Sequence, residues 1–182
     1  LRRALQERLK PLRPQGRELL MRAAVIGLTF DVDVLAEFAG QPATSVRATL
    51  RAACRLQLVE AVDRTGGRFQ FRHALTRDAI YSELLAERLR PLHREFATAL
   101  ERLAARRKPD VEELAFHWWA AGDAARAAHY NEVAGDRAAG VHAREEALIF
   151  YRRALDPSSR RSAERGRVER KIAALEARAT AE

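Results

Sequence analysis

The hydrophobic pattern changes period within one short stretch, Phe69-Gln-Phe-Arg-His-Ala-Leu-Thr-Arg-Asp-Ala-Ile-Tyr81. Phe69 and Phe71 alternate with Arg68, Gln70 and Arg72, the pattern of a strand with one apolar face. Leu75, Ala79, Ile80 and Leu84 then follow helical spacing. The chain must therefore fold with a strand feeding directly into a helix, and His73 stands at the corner between them. The unpaired amide groups and positive dipole end of a helix favour phosphate or carboxylate, and a histidine there adds a switchable donor. A histidine at such a corner is more commonly structural, so local chemistry alone leaves both roles open.

Upstream, residues 1–14 read as a basic helix over Leu1–Leu12 closed by Pro11 and Pro14, the end of an element that begins before residue 1. A helix over about Gln15–Leu28 places Leu19, Ala23 and Ile26 on one face. Asp31 is suited to cap a short helix carrying Val32, Leu35 and Phe38, with Gly40 as its stop. Pro42 suits the first turn of a third helix that turns Val46, Leu50 and Ala53 inward. Leu58–Val62 and Arg68–Phe71 form a β-hairpin about the turn Asp63-Arg-Thr-Gly-Gly67. Three helices followed by a hairpin predict a winged helix over 15–90.

Every element after the hairpin is expected to be helical, and 91–182 is assigned to a helical domain. A helix over about Pro91–Ala104 buries Leu92, Phe96, Leu100 and Leu103, and Ala105-Arg-Arg-Lys-Pro-Asp110 reads as a linker. Asp110 and Glu113 start the next helix in the manner of a capping box, and Gly122-Asp123 stops that helix and caps its successor. Helices over about Ala124–Ala138 and Arg144–Leu155 resemble a tetratricopeptide hairpin, with Gly135, Ala147, Tyr151 and Ala154 at the points of close approach. The match is degenerate: Asn131 occupies the usual tryptophan position and Pro157 comes two residues early. A last helix carrying Val168, Ile172 and Leu175 is expected to open the next repeat and to remain half-covered. The predicted fold class is mainly α, a winged helix followed by a tetratricopeptide-like repeat region.

Composition excludes several kinds of function. The chain has 182 residues, 47% of them hydrophobic, enough for one compact domain or two small ones. No apolar run approaches the roughly 18 residues that cross a bilayer, so no membrane partner is expected and the cytoplasm is the expected compartment. Cys54 is the single cysteine, which excludes an intrachain disulfide or a cysteine-based zinc site and reads as a buried small hydrophobe. His73, His93, His117, His129 and His142 lack the close i, i+4 pairing of a helical zinc site, and Glu113 with His117 reads as a surface pair. No metal ligands are assigned. There is no phosphate loop and no Gly-x-Ser-x-Gly elbow, so no catalytic residue is assigned and the chain is not expected to hydrolyse ATP by itself. Trp118 and Trp119 are expected to divide between the core and an inter-repeat contact.

The net charge of +8 admits phosphate-bearing partners. Only three of the 33 basic residues are lysines (Lys10, Lys108 and Lys171), and such an arginine bias can reflect coding composition as much as function. Arg47, Arg51 and Arg55 nevertheless recur every four residues opposite Val46, Leu50 and Ala53. With Arg64 and Arg68 of the hairpin they form a candidate DNA-contacting set, weighed against a simple solvated face.

Arg72-His-Ala-Leu-Thr-Arg-Asp-Ala-Ile80 resembles the end of the winged-helix domain in signal-transducing ATPases of the STAND class, and most closely the large LuxR-type bacterial regulators. The similarity continues through Leu92-His-Arg94, Leu114-Ala-Phe-His-Trp-Trp-Ala-Ala-Gly-Asp123 and Glu145-Glu-Ala-Leu-Ile-Phe-Tyr-Arg-Arg-Ala-Leu155, and so spans about Leu19–Leu155. The resemblance implies a piece of a longer transcriptional regulator whose nucleotide-binding and effector domains lie elsewhere. It implies ADP or ATP as the parent's cofactor and none in this piece. It also implies that the histidine after the wing, His73 here, contacts the phosphates of bound ADP. The implied partners are the parent's own nucleotide-binding domain and a protein or small-molecule inducer at the helical repeats, with DNA read by a separate domain. The plant resistance-type motif has aspartate after the histidine, where this chain has Ala74 and so lacks that polar brace. Two alternatives from other classes are a free-standing winged-helix DNA-binding protein with a helical dimerisation region, and a tetratricopeptide-like protein-binding scaffold.

Overall fold

The computed structural model describes residues 7–106, 110–155 and 162–179. The first half of the expected opening helix, the centre of the expected linker and Pro157 lie outside these residues. The protein is mainly helical with one small sheet, and it divides into two compact units between Arg106 and Arg107.

In the first unit a short helical turn over 7–9 precedes α1 (Pro14–Ile26), with Pro14 at the first helical position. There follow β1 (Thr29–Asp31), α2 (Val32–Ala39) and α3 (Ala43–Arg55). Gly40 adopts φ 62°, ψ 34° and ends α2, with the Gln41 amide returning to the Ala36 carbonyl at 3.0 Å. Asp31 stands at the N-cap of α2, but its carboxylate accepts from Arg68 Nε at 2.9 Å rather than from the helix amides, a correction to its expected capping role.

The hairpin β2 (Val59–Ala61) and β3 (Arg68–Phe71) pairs Val59 with Phe71 and Ala61 with Phe69. Flanking bonds from Arg72 N–H to the Leu58 carbonyl and from Val62 N–H to the Arg68 carbonyl extend the pairing over the expected span. β1 adds to the other edge of β3, Phe30 opposite Phe69, giving the antiparallel order β1-β3-β2. In the turn, Asp63 Oδ1 accepts from the Gly67 amide at 3.0 Å and the Thr65 hydroxyl at 2.8 Å. These bonds hold its carboxyl below the ordinary range. Phe69 and Phe71 are buried, as are Phe30, Leu35, Leu50 and Ile80, and Phe30 lies edge-on to Phe71 at 5.7 Å.

After α4 (Ala74–Ser82) comes α5 (Ala86–Leu103), which starts five residues before the expected Pro91. Pro91 therefore lies inside the helix, where it cannot donate to the Glu87 carbonyl. Packing maintains the helix through that gap. Leu92, Phe96 and Leu100 are buried, Leu103 only half so, and Phe96 lies 5.1 Å from Phe38 of α2. Ion pairs from Arg22 to Glu95, Arg88 to Glu18 and Arg102 to Glu37 join α5 to α1 and α2. The whole helix thus belongs to the first unit, and the division at 106/107 falls within the expected linker 105–110.

The second unit holds α6 (Val111–Ala120), α7 (Ala124–Gly140), α8 (Arg144–Ala154) and α9 (Ser162–Ala179). Asp110 accepts from the Glu112 and Glu113 amides, and Asp123 from the Arg126 amide after Gly122 (φ 75°), so both expected N-caps form. Antiparallel α7 and α8 meet where Gly135 faces Tyr151. Val168 of α9 is fully buried among Ala138, Ala147, Tyr151 and Ala154, with Ile172 and Leu175 half-buried beside them. Among the described residues no helix is long and apolar enough to cross a membrane.

Candidate functional site

His73 is the N-cap residue of α4, in extended conformation (φ −138°, ψ 135°) at the end of β3. Its carbonyl accepts from the Thr76 amide at 2.9 Å and so opens the helix, while its ring does not cap it. The imidazole is exposed, as are Arg72 and Ala74 beside it. Leu75, expected on the apolar face, is 62% exposed, and buried Thr76 takes the inward position. The corner is nonetheless anchored. Arg77 donates from Nε to the Ala24 carbonyl of α1 at 2.8 Å, and its guanidinium lies over the Tyr81 ring at 4.6 Å. Two exposed basic side chains and a helix start thus sit on a rigid support, an arrangement suited to an anionic group.

The five arginines of the DNA-contacting set separate. Arg51, Arg55 and Arg64 are exposed. Arg47 lies 3.8 Å from Asp33, and its buried Nε has no hydrogen-bond partner. Arg68 is held by Asp31, and that hydrogen bond raises its pKa further.

Two of the histidines are buried. His117 is 2% exposed rather than at the surface, where its pairing with Glu113 was expected. His93 is equally buried and shares a 2.9 Å hydrogen bond between Nε2 and the Tyr81 hydroxyl. Burial, with a smaller contribution from the Arg77 charge, lowers its pKa to about 4. Cys54 is half-buried rather than buried, and desolvation with nearby Glu60 raises its thiol pKa. Among the described residues no group of three His, Cys, Asp or Glu side chains is placed to hold a metal.

In the second unit Trp118 is fully buried under the Arg126 guanidinium (4.2 Å), while Trp119 is 65% exposed. Trp119, Phe116 and Phe150 line a cleft of about 590 Å³ with Arg152 and Arg153 at its edge. Sequence reasoning missed this cleft. Its signal was the i, i+3 pair Phe116 and Trp119 on the face away from Leu114 and Trp118, opposite an alanine-rich turn. A second missed feature is ionic. Glu132, 5% exposed, takes both donors of Arg167 at 2.9 Å and Lys171 at 2.8 Å, and Lys171 continues to Asp136, which also accepts from the Tyr151 hydroxyl at 2.7 Å. These bonds raise the pKa of Arg167, and they outweigh desolvation in raising that of Lys171.

The chain matches no protein-family model, no curated protein and no solved structure.

Proposed function

We propose that the first unit is a winged-helix arm and the second a tetratricopeptide-like region of a STAND-class ATPase regulator of the LuxR type. Together they couple nucleotide state to signal or partner binding through contacts within the parent chain. The exposed His73 ring at the start of α4, left uncommitted by the helix it opens, carries this reading. The element order, helix–strand–helix–helix–hairpin with sheet order β1-β3-β2, supports a winged helix. Gly135 against Tyr151 and the buried Ala147 and Ala154 support a tetratricopeptide-like hairpin.

By resemblance, His73 contacts the phosphates of ADP held in the parent's nucleotide-binding domain and favours the closed state. The chain itself performs no catalysis, the helical region receives the inducer, a separate domain reads DNA, and the parent acts in the cytoplasm. A donor at a helix start favours a diphosphate in one state only, and a differential of about 1.4 kcal/mol shifts a two-state equilibrium tenfold.

Direct DNA contact ranks below this reading because Asp31 holds Arg68 and Asp33 lies 3.8 Å from Arg47, so two carboxylates stand beside the arginines that would meet phosphates. The native gene product distinguishes the two. Immunodetection with peptide mass mapping should find a protein far larger than 20.5 kDa whose peptides include a phosphate loop. A native product of 20.5 kDa would overturn the ATPase reading and favour the free-standing DNA-binding one.

A further inference from the structure

The cleft between α6, α7 and α8 has the size of a small-molecule site, its 590 Å³ falling within the roughly 300–1,000 Å³ such sites occupy. Its floor is made of alanines: Ala115, Ala127 and Ala128 are buried, and Ala124 is half-buried. The walls are aromatic. Phe116 is 52% and Trp119 65% exposed, with ring centroids 6.3 Å apart, and Phe150 lies half-buried on α8. Large rings left open together around one concavity mark a binding surface. Asn131 adds a fixed polar group, 7% exposed and held by its Nδ2 bond to the Ala127 carbonyl at 2.8 Å.

The edge has a sign. Among the lining residues Arg152 and Arg153 supply two guanidiniums and Glu112 one carboxylate. Arg153 lies over the Phe150 ring at 5.9 Å, and Arg152 reaches Glu176 at 3.1 Å in a pair whose two side chains are 64% and 50% exposed. Such a solvated pair is weak, so Arg152 can be handed to a ligand carboxylate at little cost, and guanidinium matches carboxylate bidentately.

We infer that this cleft binds a small aryl carboxylate, its flat apolar body against Phe116, Trp119 and Phe150 and its carboxylate at Arg152 and Arg153. The inference concerns binding by the second unit and does not depend on the ATPase reading.

The test titrates the 182-residue chain with 2-naphthoate and with neutral 2-naphthamide by calorimetry, following the Trp119 indole resonance by NMR. Naphthoate should bind saturably, shift that resonance and bind more tightly than naphthamide. Trp119→Ala, at an exposed position the fold does not need, should weaken naphthoate roughly tenfold or more. The Arg152→Gln/Arg153→Gln variant should abolish the preference for naphthoate while leaving naphthamide unchanged. Ala127→Leu should fill the floor and block both ligands. Absence of saturable naphthoate binding overturns the site, as does undiminished binding by Trp119→Ala. Equal affinity for the two ligands overturns the carboxylate, and saturation by an apolar peptide but not by naphthoate overturns the small-molecule assignment.

Discussion

A β-carbon added at Gly135 would lie 2.5 Å from Cε1 of the buried Tyr151 ring, which cannot withdraw without losing its hydroxyl bond to Asp136. Gly135→Ala should therefore destabilise the second unit by about 1–3 kcal/mol, the usual cost of overpacking. Chemical denaturation should also find part of that loss recovered by Tyr151→Leu in the same chain. His93 gives a pH-dependent counterpart. Its folded pKa of about 4 lies below the ordinary unfolded value of about 6.5, so the unfolded chain takes up a proton first as the pH falls. The stability of the first unit should be full above that unfolded value, decline between the two, and level off below the folded one. Comparing urea midpoints with those of His93→Gln isolates this contribution from the carboxylates, since only the parent chain should lose stability across the window through this side chain. Gly135 was legible in the sequence because small residues recur where helices touch. The burial of His93 was not, because it depends on Tyr81, which the fold brings in from the preceding helix.

Helices were legible wherever an apolar face and a stop signal coincided, as in α2 with Gly40 and in α6 with Asp110 and Gly122-Asp123. β1 left no such signal. Its three residues are too few to show alternation, and its partners on β3 lie far along the chain. The start of α5 was missed because Pro91 reads as a first-turn residue, whereas burial of Leu92 and Phe96 carries the helix through it. At the far end, α9 was expected to stand half-covered. The docking of Val168 was legible, but the ion cluster on Glu132 was not, since its members lie on separate helices. The Arg167→Ala/Lys171→Ala variant leaves the Glu132 carboxylate buried without these partners, and the melting temperature of the second unit should fall by roughly 5–15 °C. Adding Glu132→Leu should restore much of that loss; no recovery would mean that the cluster acts through packing of the long side chains alone.

At the scale of the whole molecule, the mainly helical class and the hairpin could be read from periodicity, and the division falls within the expected linker 105–110. The membership of α5 in the first unit could not be read, because it depends on long-range packing. The net charge of +8 predicts that the chain binds duplex DNA of any sequence, with affinity falling steeply as salt is added. Filter binding across unrelated duplexes should show no preferred sequence, whereas a sequence preference lost in Arg51→Ala/Arg55→Ala would favour the DNA-binding alternative. The regulator reading rests on His73, whose corner position was legible and whose exposure required the structure. The measurement that tests it most directly is the rate of ADP release from the intact native protein, parent against His73→Ala. If the imidazole holds the diphosphate in the closed state, the variant should release ADP about tenfold faster. An unchanged rate, or a native protein that retains no nucleotide, would contradict it.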